Sequence, residues 1–205
     1  MYAPSPYDVF DKYLDHYGAD GLFPVADTPL GRFAALASEE ILYPEIARIL
    51  ACKGAEVLMH PTSEAASTLM SPKNIAKIAR AQENLIYVVS ANSSSITGTG
   101  LAAQSTDTRS QIVDDRGIVL VETPGGDSIN ACADIDINAL RYRRRRVGMD
   151  NRLARQPMAL YAKYFAEMDI HPVGSLGDGS HAPKKDFYKK RQEHVIAKLE
   201  KAGII

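Results

Sequence analysis

Gly31-Arg32-Phe33-Ala34-Ala35-Leu36-Ala37-Ser38-Glu39-Glu40-Ile41-Leu42-Tyr43-Pro44-Glu45 packs an apolar run, a polar break at Ser38 and a helix start into one short stretch. Arg32 to Ala37 reads as a strand. Pro44 suits the first position of a helix, where its missing N–H costs nothing, and Glu45 in the first turn suits the helix dipole. Ser38 then stands at the carboxyl end of a strand, where open α/β sheets place their ligands. Backbone N–H groups just past such an exit are free to stabilise an oxyanion. On these residues alone, Ser38 is either a nucleophile or a serine that satisfies a local turn.

The surrounding chain alternates extended and helical runs, the pattern of an α/β domain. Upstream, Met1 to Gly21 reads as a loop around Ala3-Pro4-Ser5-Pro6 and a short amphipathic helix, Tyr7 to Tyr17, ended by Gly18. Phe23 to Ala26 is a predicted strand and Thr28-Pro29-Leu30-Gly31 a turn. The helix from Pro44 carries Ile46, Ile49 and Leu50 at core-facing spacing and stops near Gly54, a C-cap residue. Ala55 to Met59 is a predicted buried strand. Ser71-Pro72 opens a helix over Lys73 to Leu85, with Ile75, Ile78 and Ala79 on one face. Ile86 to Ser90 reads as a strand covered on both faces. Asn92 to Thr108, rich in Ser, Thr and Gly, reads as a surface loop. Gln111 to Val113, Ile118 to Glu122 and Ser128 to Ile137 read as strands, the first two joined by a hairpin turn at Asp114-Asp115-Arg116-Gly117. From Asn138 the chain is helical and charged, broken by Gly174 to Pro183, and it contains no internal repeat.

With 205 residues, 45% hydrophobic and 24% charged, the chain can bury a real core. Lys and Arg total 24 against 25 acids, so no global field favours nucleic acid or an anionic membrane. Cys52 and Cys132 lie in apolar segments and read as buried thiols in a reducing cytosol. No apolar run approaches the ~20 residues of a membrane span, and no basic-then-apolar leader opens the chain. The expectation is a cytoplasmic protein without membrane contact. His16, His60, His171, His181 and His194 lack metal-ligand spacing and cysteine partners, so no metal is expected. Gly125-Gly126 follows a strand without the lysine or helix of a phosphate loop and reads as a turn; no cofactor is expected. Arg141-Tyr142-Arg143-Arg144-Arg145-Arg146, set against the near-neutral charge, reads as a solvated helix end or subunit contact rather than a nucleic-acid site.

Blocks of sequence carry a more specific signal. Gly31-Arg32 and Tyr43-Pro44-Glu45 bracket Ser38. Gly54-Ala55-Glu56-Val57-Leu58 follows, with Pro61 after it. Arg80-Ala81-Gln82-Glu83-Asn84 then precedes Tyr87-Val88-Val89, and Ser110-Gln111-Ile112-Val113-Asp114 precedes Gly117. In this order the chain resembles the carbon–nitrogen hydrolases of the nitrilase superfamily over roughly residues 20 to 145. The resemblance implies an α/β (α+β) fold, the nitrilase-type four-layer α-β-β-α sandwich, here lacking its N-terminal strands. It divides the chain into an N-terminal loop and short helix (1–21), the C-terminal part of the hydrolase domain (22–147) and a helical tail with subunit contacts (148–205).

Family members use a Glu–Lys–Cys triad. The glutamate is the general base, the cysteine attacks a nitrile or amide carbon, and the lysine, with the backbone amide after the cysteine, steadies the developing charge. Carried over, Ser38 takes the nucleophile position and the N–H of Glu39 becomes an oxyanion donor. His60, Pro61 and Thr62 would line the substrate pocket. The implied function is hydrolysis of a non-peptide C–N bond in a small-molecule amide or nitrile by a homo-oligomer. The alternative is a catalytically inactive binding or assembly subunit.

Departures from the pattern shape these expectations. The family glutamate lies far upstream, and the family lysine would fall near Tyr2 to Tyr7, where no lysine stands. Lys12 reads as solvated. Met1 therefore reads as an internal methionine of a longer product. An alcohol is far harder to deprotonate than a thiol, so a serine site should be slow or inactive. Its origin is a trapping substitution, a natural serine-bearing branch or a pseudoenzyme; Glu39 and Glu40 beside it favour the natural branch.

Overall fold

The protein is described by a computed structural model over residues 10–64, 71–98, 100, 109–124, 128–168, 174 and 185–205. The chain divides into two compact units, one of residues 23–156 and one of the two flanking terminal segments. The first is built on a six-stranded sheet whose strands lie in sequence order. β1 (Ala26–Thr28) pairs antiparallel with β2 (Gly31–Ala35), and β2, β3 (Val57–Thr62) and β4 (Tyr87–Asn92) run parallel. β5 (Gln111–Val113) and β6 (Val119–Glu122) complete the sheet antiparallel. Parallel neighbours need crossover connections, and helices α2 (Pro44–Cys52) and α3 (Pro72–Asn84) provide them.

Period-2 alternation decides which face each helix covers. Ala34, Leu36, Leu58, Ile86, Val88 and Val113 meet Ile41 of the strand-exit turn, Ala47 and Leu50 of α2, and Ala76 and Ala81 of α3 in one core. On the opposite face Val57 and Tyr87 pack under Leu140 of α4 (Ile137–Arg145), flanked by Phe33, Val89, Ile135 and Ile137. Further along that face, Ala35, Met59, Pro61 and Ala91 stay exposed. The terminal unit holds α1 (Phe10–Tyr17), ended by Gly18 at φ 69°, α5 (Met158–Glu167) and α6 (Lys185–Lys201).

Several local expectations hold. Pro44 opens α2 at its first turn, Thr28 and Gly31 close the β1–β2 hairpin, and Asp114 to Gly117 turn between β5 and β6. Gly54 follows α2 at φ 95°, a backbone conformation that glycine adopts without the strain a side chain would bring.

Others need correction. The first strand begins at Ala26, not Phe23, because Phe23 and Val25 pack their side chains onto the core outside the sheet ladder. Residues 128–136 form no strand among the described residues; Asp136 instead caps α4 by accepting the Ala139 N–H at 2.8 Å. Cys52 and Cys132 are exposed thiols, not core residues: Cys52 ends α2 on its outer side and Cys132 lies in the irregular segment before α4. Ile49, Ile75 and Ile78 face outward, at 37%, 52% and 37% exposure. Of the expected loop after Asn92, residues 93–98 and 100 are irregular; residue 99 and 101–108 lie outside the described residues, as do Gly125-Gly126, His171, His181 and all of the Gly174–Pro183 break save Gly174.

The basic run is not a solvated helix end. Arg141 forms an ion pair with buried Glu56, and Arg143 pairs with fully buried Asp115. Arg144 donates to the carbonyls of Leu85 at 2.8 Å and Ala55 at 2.7 Å. These bonds tie α4 to the amino ends of β3 and β4. Tyr142 and Arg145 remain on the surface.

Candidate functional site

Ser38 leaves β2 through a 3-10 turn, Ser38–Leu42, and its own backbone is left-handed, with φ 49°. A non-glycine residue holds such a conformation only where its surroundings over-determine it. Those surroundings are visible. The Glu40 carboxylate accepts the Ala37 N–H at 2.6 Å, just before the turn. His60 Nε2 donates to the Ser38 carbonyl at 2.9 Å. Arg80, from α3, donates to the carbonyls of Ile41 and Leu42, each at 3.0 Å, at the far end of the turn.

His60 is set by strand register. It lies opposite Ser90 on β4, so both side chains share one face, and His60 Nδ1 meets the Ser90 hydroxyl at 2.8 Å. With Nε2 donating to a carbonyl, Nδ1 accepts from Ser90, which is the neutral tautomer. Burial pushes the imidazole pKa down to about 4; Lys77 and Lys73 add to the fall, and the bond to the Ser38 carbonyl opposes it.

α3 delivers the charge of the site. Ser71 caps it, accepting the Asn74 N–H, and Pro72 occupies its first turn. Lys73 then reaches back, its Nζ donating to Ser38 Oγ at 3.2 Å and pairing with the Glu64 carboxylate at 3.2 Å. One turn on, Lys77 is fully buried and donates to Asn74 Oδ1 at 2.9 Å and the Arg109 carbonyl at 2.7 Å. Burial lowers its pKa to about 8; Glu64 works against that fall and Lys73 contributes to it. Glu64 is placed by its own N–H, which donates to Asn92 Oδ1 at 3.0 Å at the end of β4. Ser38, Lys73 and the Glu64 carboxylate thus converge beyond the carboxyl ends of the parallel strands.

The residues expected around Ser38 are distributed unevenly. Glu39 follows directly in the turn, exposed. His60 is buried at 1% exposure with both ring nitrogens engaged, and Thr62 is buried on the same face. Pro61 lies between them and points to the opposite, exposed face, as the alternation of a strand requires. Lys12 belongs to the terminal unit. Lys73 and Glu64 were not anticipated. A signal existed: a lysine in the first turn of a capped helix opposes the helix dipole, so its place needs a partner elsewhere. Among the described residues no group of three His, Cys, Asp or Glu side chains is arranged to hold a metal, and no helix is long and apolar enough to cross a membrane.

The α/β sheet places Ser38 and the charged cluster beyond the carboxyl ends of its parallel strands, where open α/β sheets place ligands. The family model for carbon-nitrogen hydrolases matches residues 3–145, and the chain belongs to the carbon–nitrogen hydrolase family. No curated protein sequence matches it. Solved structures do. A carbon-nitrogen hydrolase from Helicobacter pylori G27 is 21% identical with a TM-score of 0.57, covering 69% of this chain and 51% of its own. An amidase of the nitrilase superfamily from Nesterenkonia AN1, in mutant form, is 22% identical at TM-score 0.52, covering 69% and 47%. Another mutant of that amidase carries the acetamide moiety of fluoroacetamide on its active-site cysteine, at 23% identity, TM-score 0.53 and the same coverage. These likenesses establish a shared nitrilase fold. The chain spans about half the length of the solved structures it matches.

Proposed function

We propose that the chain is part of a hydrolase of non-peptide C–N bonds, acting on a small amide or nitrile with Ser38 as the attacking group. The observation that carries this reading is the position of Ser38: half-buried at the exit of a central strand, left-handed, with its hydroxyl hydrogen-bonded to Lys73. In an amide, Ser38 Oγ would bond to the carbonyl carbon, and the Glu39 N–H would receive the resulting oxyanion. The serine proton would leave with the departing amine, and water would then cleave the ester. Thr62, on the same face as His60, would border the substrate, His60 would hold the Ser38 carbonyl, and Pro61 would shape the end of β3 from the other face.

A second reading, a binding or assembly subunit without chemistry, is favoured by the alcohol itself, which lacks the acidity of a thiol. Ammonia release from a panel of short amides and nitriles separates the two. The hydrolase reading expects slow turnover that Ser38→Ala abolishes and Ser38→Cys raises about tenfold or more, a barrier change of ~1.4 kcal/mol. No ammonia from any of the three proteins, with calorimetric binding of an amide retained, establishes the second reading instead. Homo-oligomer formation in a cytoplasmic setting completes the proposal. Leu160, Tyr161, Tyr164 and Phe165, exposed along α5, support a contact between copies. Sedimentation of a monomer at micromolar concentration would remove that part.

A further inference from the structure

We propose that Lys73, held by Glu64, is the cation that stabilises negative charge on the side chain at position 38. The inference rests on position 38 being the nucleophile's place, and it assigns the electrostatic work to a lysine from the helix after β3 rather than to one upstream of the serine.

The geometry carries the argument. Lys73 is buried at 7% exposure, and its Nζ lies 3.2 Å from both the Glu64 carboxylate and Ser38 Oγ. Neutralising the ammonium needs only the carboxylate. Holding the flexible side chain against the hydroxyl as well costs rotamer freedom, and the first turn of α3 is electrostatically unfavourable for a cation. A neutral hydroxyl returns little for that cost. An alkoxide or thiolate at the same distance would add the direct attraction of opposite charges to that hydrogen bond. The arrangement therefore favours the ionised over the neutral form of the side chain at position 38, the difference that accelerates attack.

The neighbouring groups leave this work to Lys73. Glu40 is turned to the Ala37 N–H, His60 is neutral and bound to the Ser38 carbonyl, and Lys77 is directed to Asn74 and Arg109. Among the described residues, Lys73 is the charged group hydrogen-bonded to Ser38 Oγ. The ion pair with Glu64 sets Lys73 to act as a positive charge beside Ser38.

A thiol titration tests the assignment without any turnover. Ser38→Cys is made in a Cys52→Ser, Cys132→Ser background, and its iodoacetamide alkylation rate is followed against pH. Lys73 should place the midpoint about 1–3 pH units below the ordinary thiol value of ~8.5. Lys73→Gln should return it to ~8.5 or above and slow labelling at pH 7 about tenfold or more. Lys73→Arg should keep the low midpoint, and Lys77→Met should leave most of the shift. A midpoint at or above ~8.5 with Lys73 intact overturns the proposal, as does a low midpoint that Lys73→Gln leaves unmoved. Should Lys73→Gln fail to fold by circular dichroism, the intact and Lys73→Arg proteins still decide it. Because labelling needs no substrate, an inactive chain with a Lys73-dependent thiol refutes the hydrolase reading alone. An active chain without that dependence refutes Lys73 alone.

Discussion

His60 shows how one buried side chain ties the site to pH. The folded imidazole titrates at about 4 and the unfolded one near its ordinary 6.5, so between these values the unfolded chain binds the extra proton. Stability from this group is complete above about 6.5 and is lost as pH falls toward 4. Its size is about 3 kcal/mol at most. His60→Gln should therefore flatten the fall in urea-unfolding free energy between pH 7.5 and pH 4.5 by up to about that amount. An unchanged pH profile would mean that His60 titrates alike in the folded and unfolded chains. Glu56 behaves in the opposite chemical sense. Burial raises its pKa, but Arg141 and the Arg32 N–H outweigh burial and hold the carboxyl below its usual range. Its contribution is likewise present near neutrality and lost in acid.

α3 is the element on which the apolar pattern misleads. Spacing puts Ile75, Ile78 and Ala79 together on one apolar face, yet the buried residues are Lys73, Asn74, Ala76, Lys77, Arg80, Ala81 and Asn84. Except for Asn84 Oδ1, which is buried without a partner, the polar groups of this face find partners on the strand-exit turn, at the strand ends or within the helix. Arg80 serves two carbonyls of the turn, and Asn84 Nδ2 serves the Arg80 carbonyl at 2.9 Å. Ile75→Lys should thus change unfolding free energy by no more than about 0.5 kcal/mol. Arg80→Met, which leaves the Ile41 and Leu42 carbonyls without their donor, should cost about 3 kcal/mol. Denaturation followed by circular dichroism compares them directly; equal losses would place the apolar stripe inside after all.

At the scale of the sheet-bearing unit, α4 works as a clasp. Its arginines join Glu56, Asp115 and the carbonyls of Ala55 and Leu85, residues distant in sequence that all lie at the amino ends of strands or in the turn after β5. Asp115 is fully buried, so removing its partner strands a charge rather than merely losing a bond. Arg143→Met should destabilise the protein by roughly 3–5 kcal/mol, whereas Arg145→Met, at the surface, should change it by less than about 0.5 kcal/mol. Matching melting temperatures for the two variants would contradict the clasp. The clasp lies at the end of the sheet opposite Ser38, so charge at one end serves cohesion and charge at the other surrounds the candidate nucleophile.

The strand–Ser38–helix order, the capping of α2 and α3, the β5–β6 turn and the family blocks were legible in the sequence. They depend on local chemistry: proline at a helix start, serine at a cap, glycine and aspartate in a turn. The Arg80-to-Asn84 block could be recognised but not explained, since its arginine and asparagine act on partners that only the fold supplies. Lys73 meeting Ser38, His60 meeting Ser90 and Arg143 meeting Asp115 join residues 35, 30 and 28 positions apart. No periodicity encodes such pairs. They exist because parallel strands bring their ends together and because a buried charge is tolerated only where folding has already placed its counter-charge.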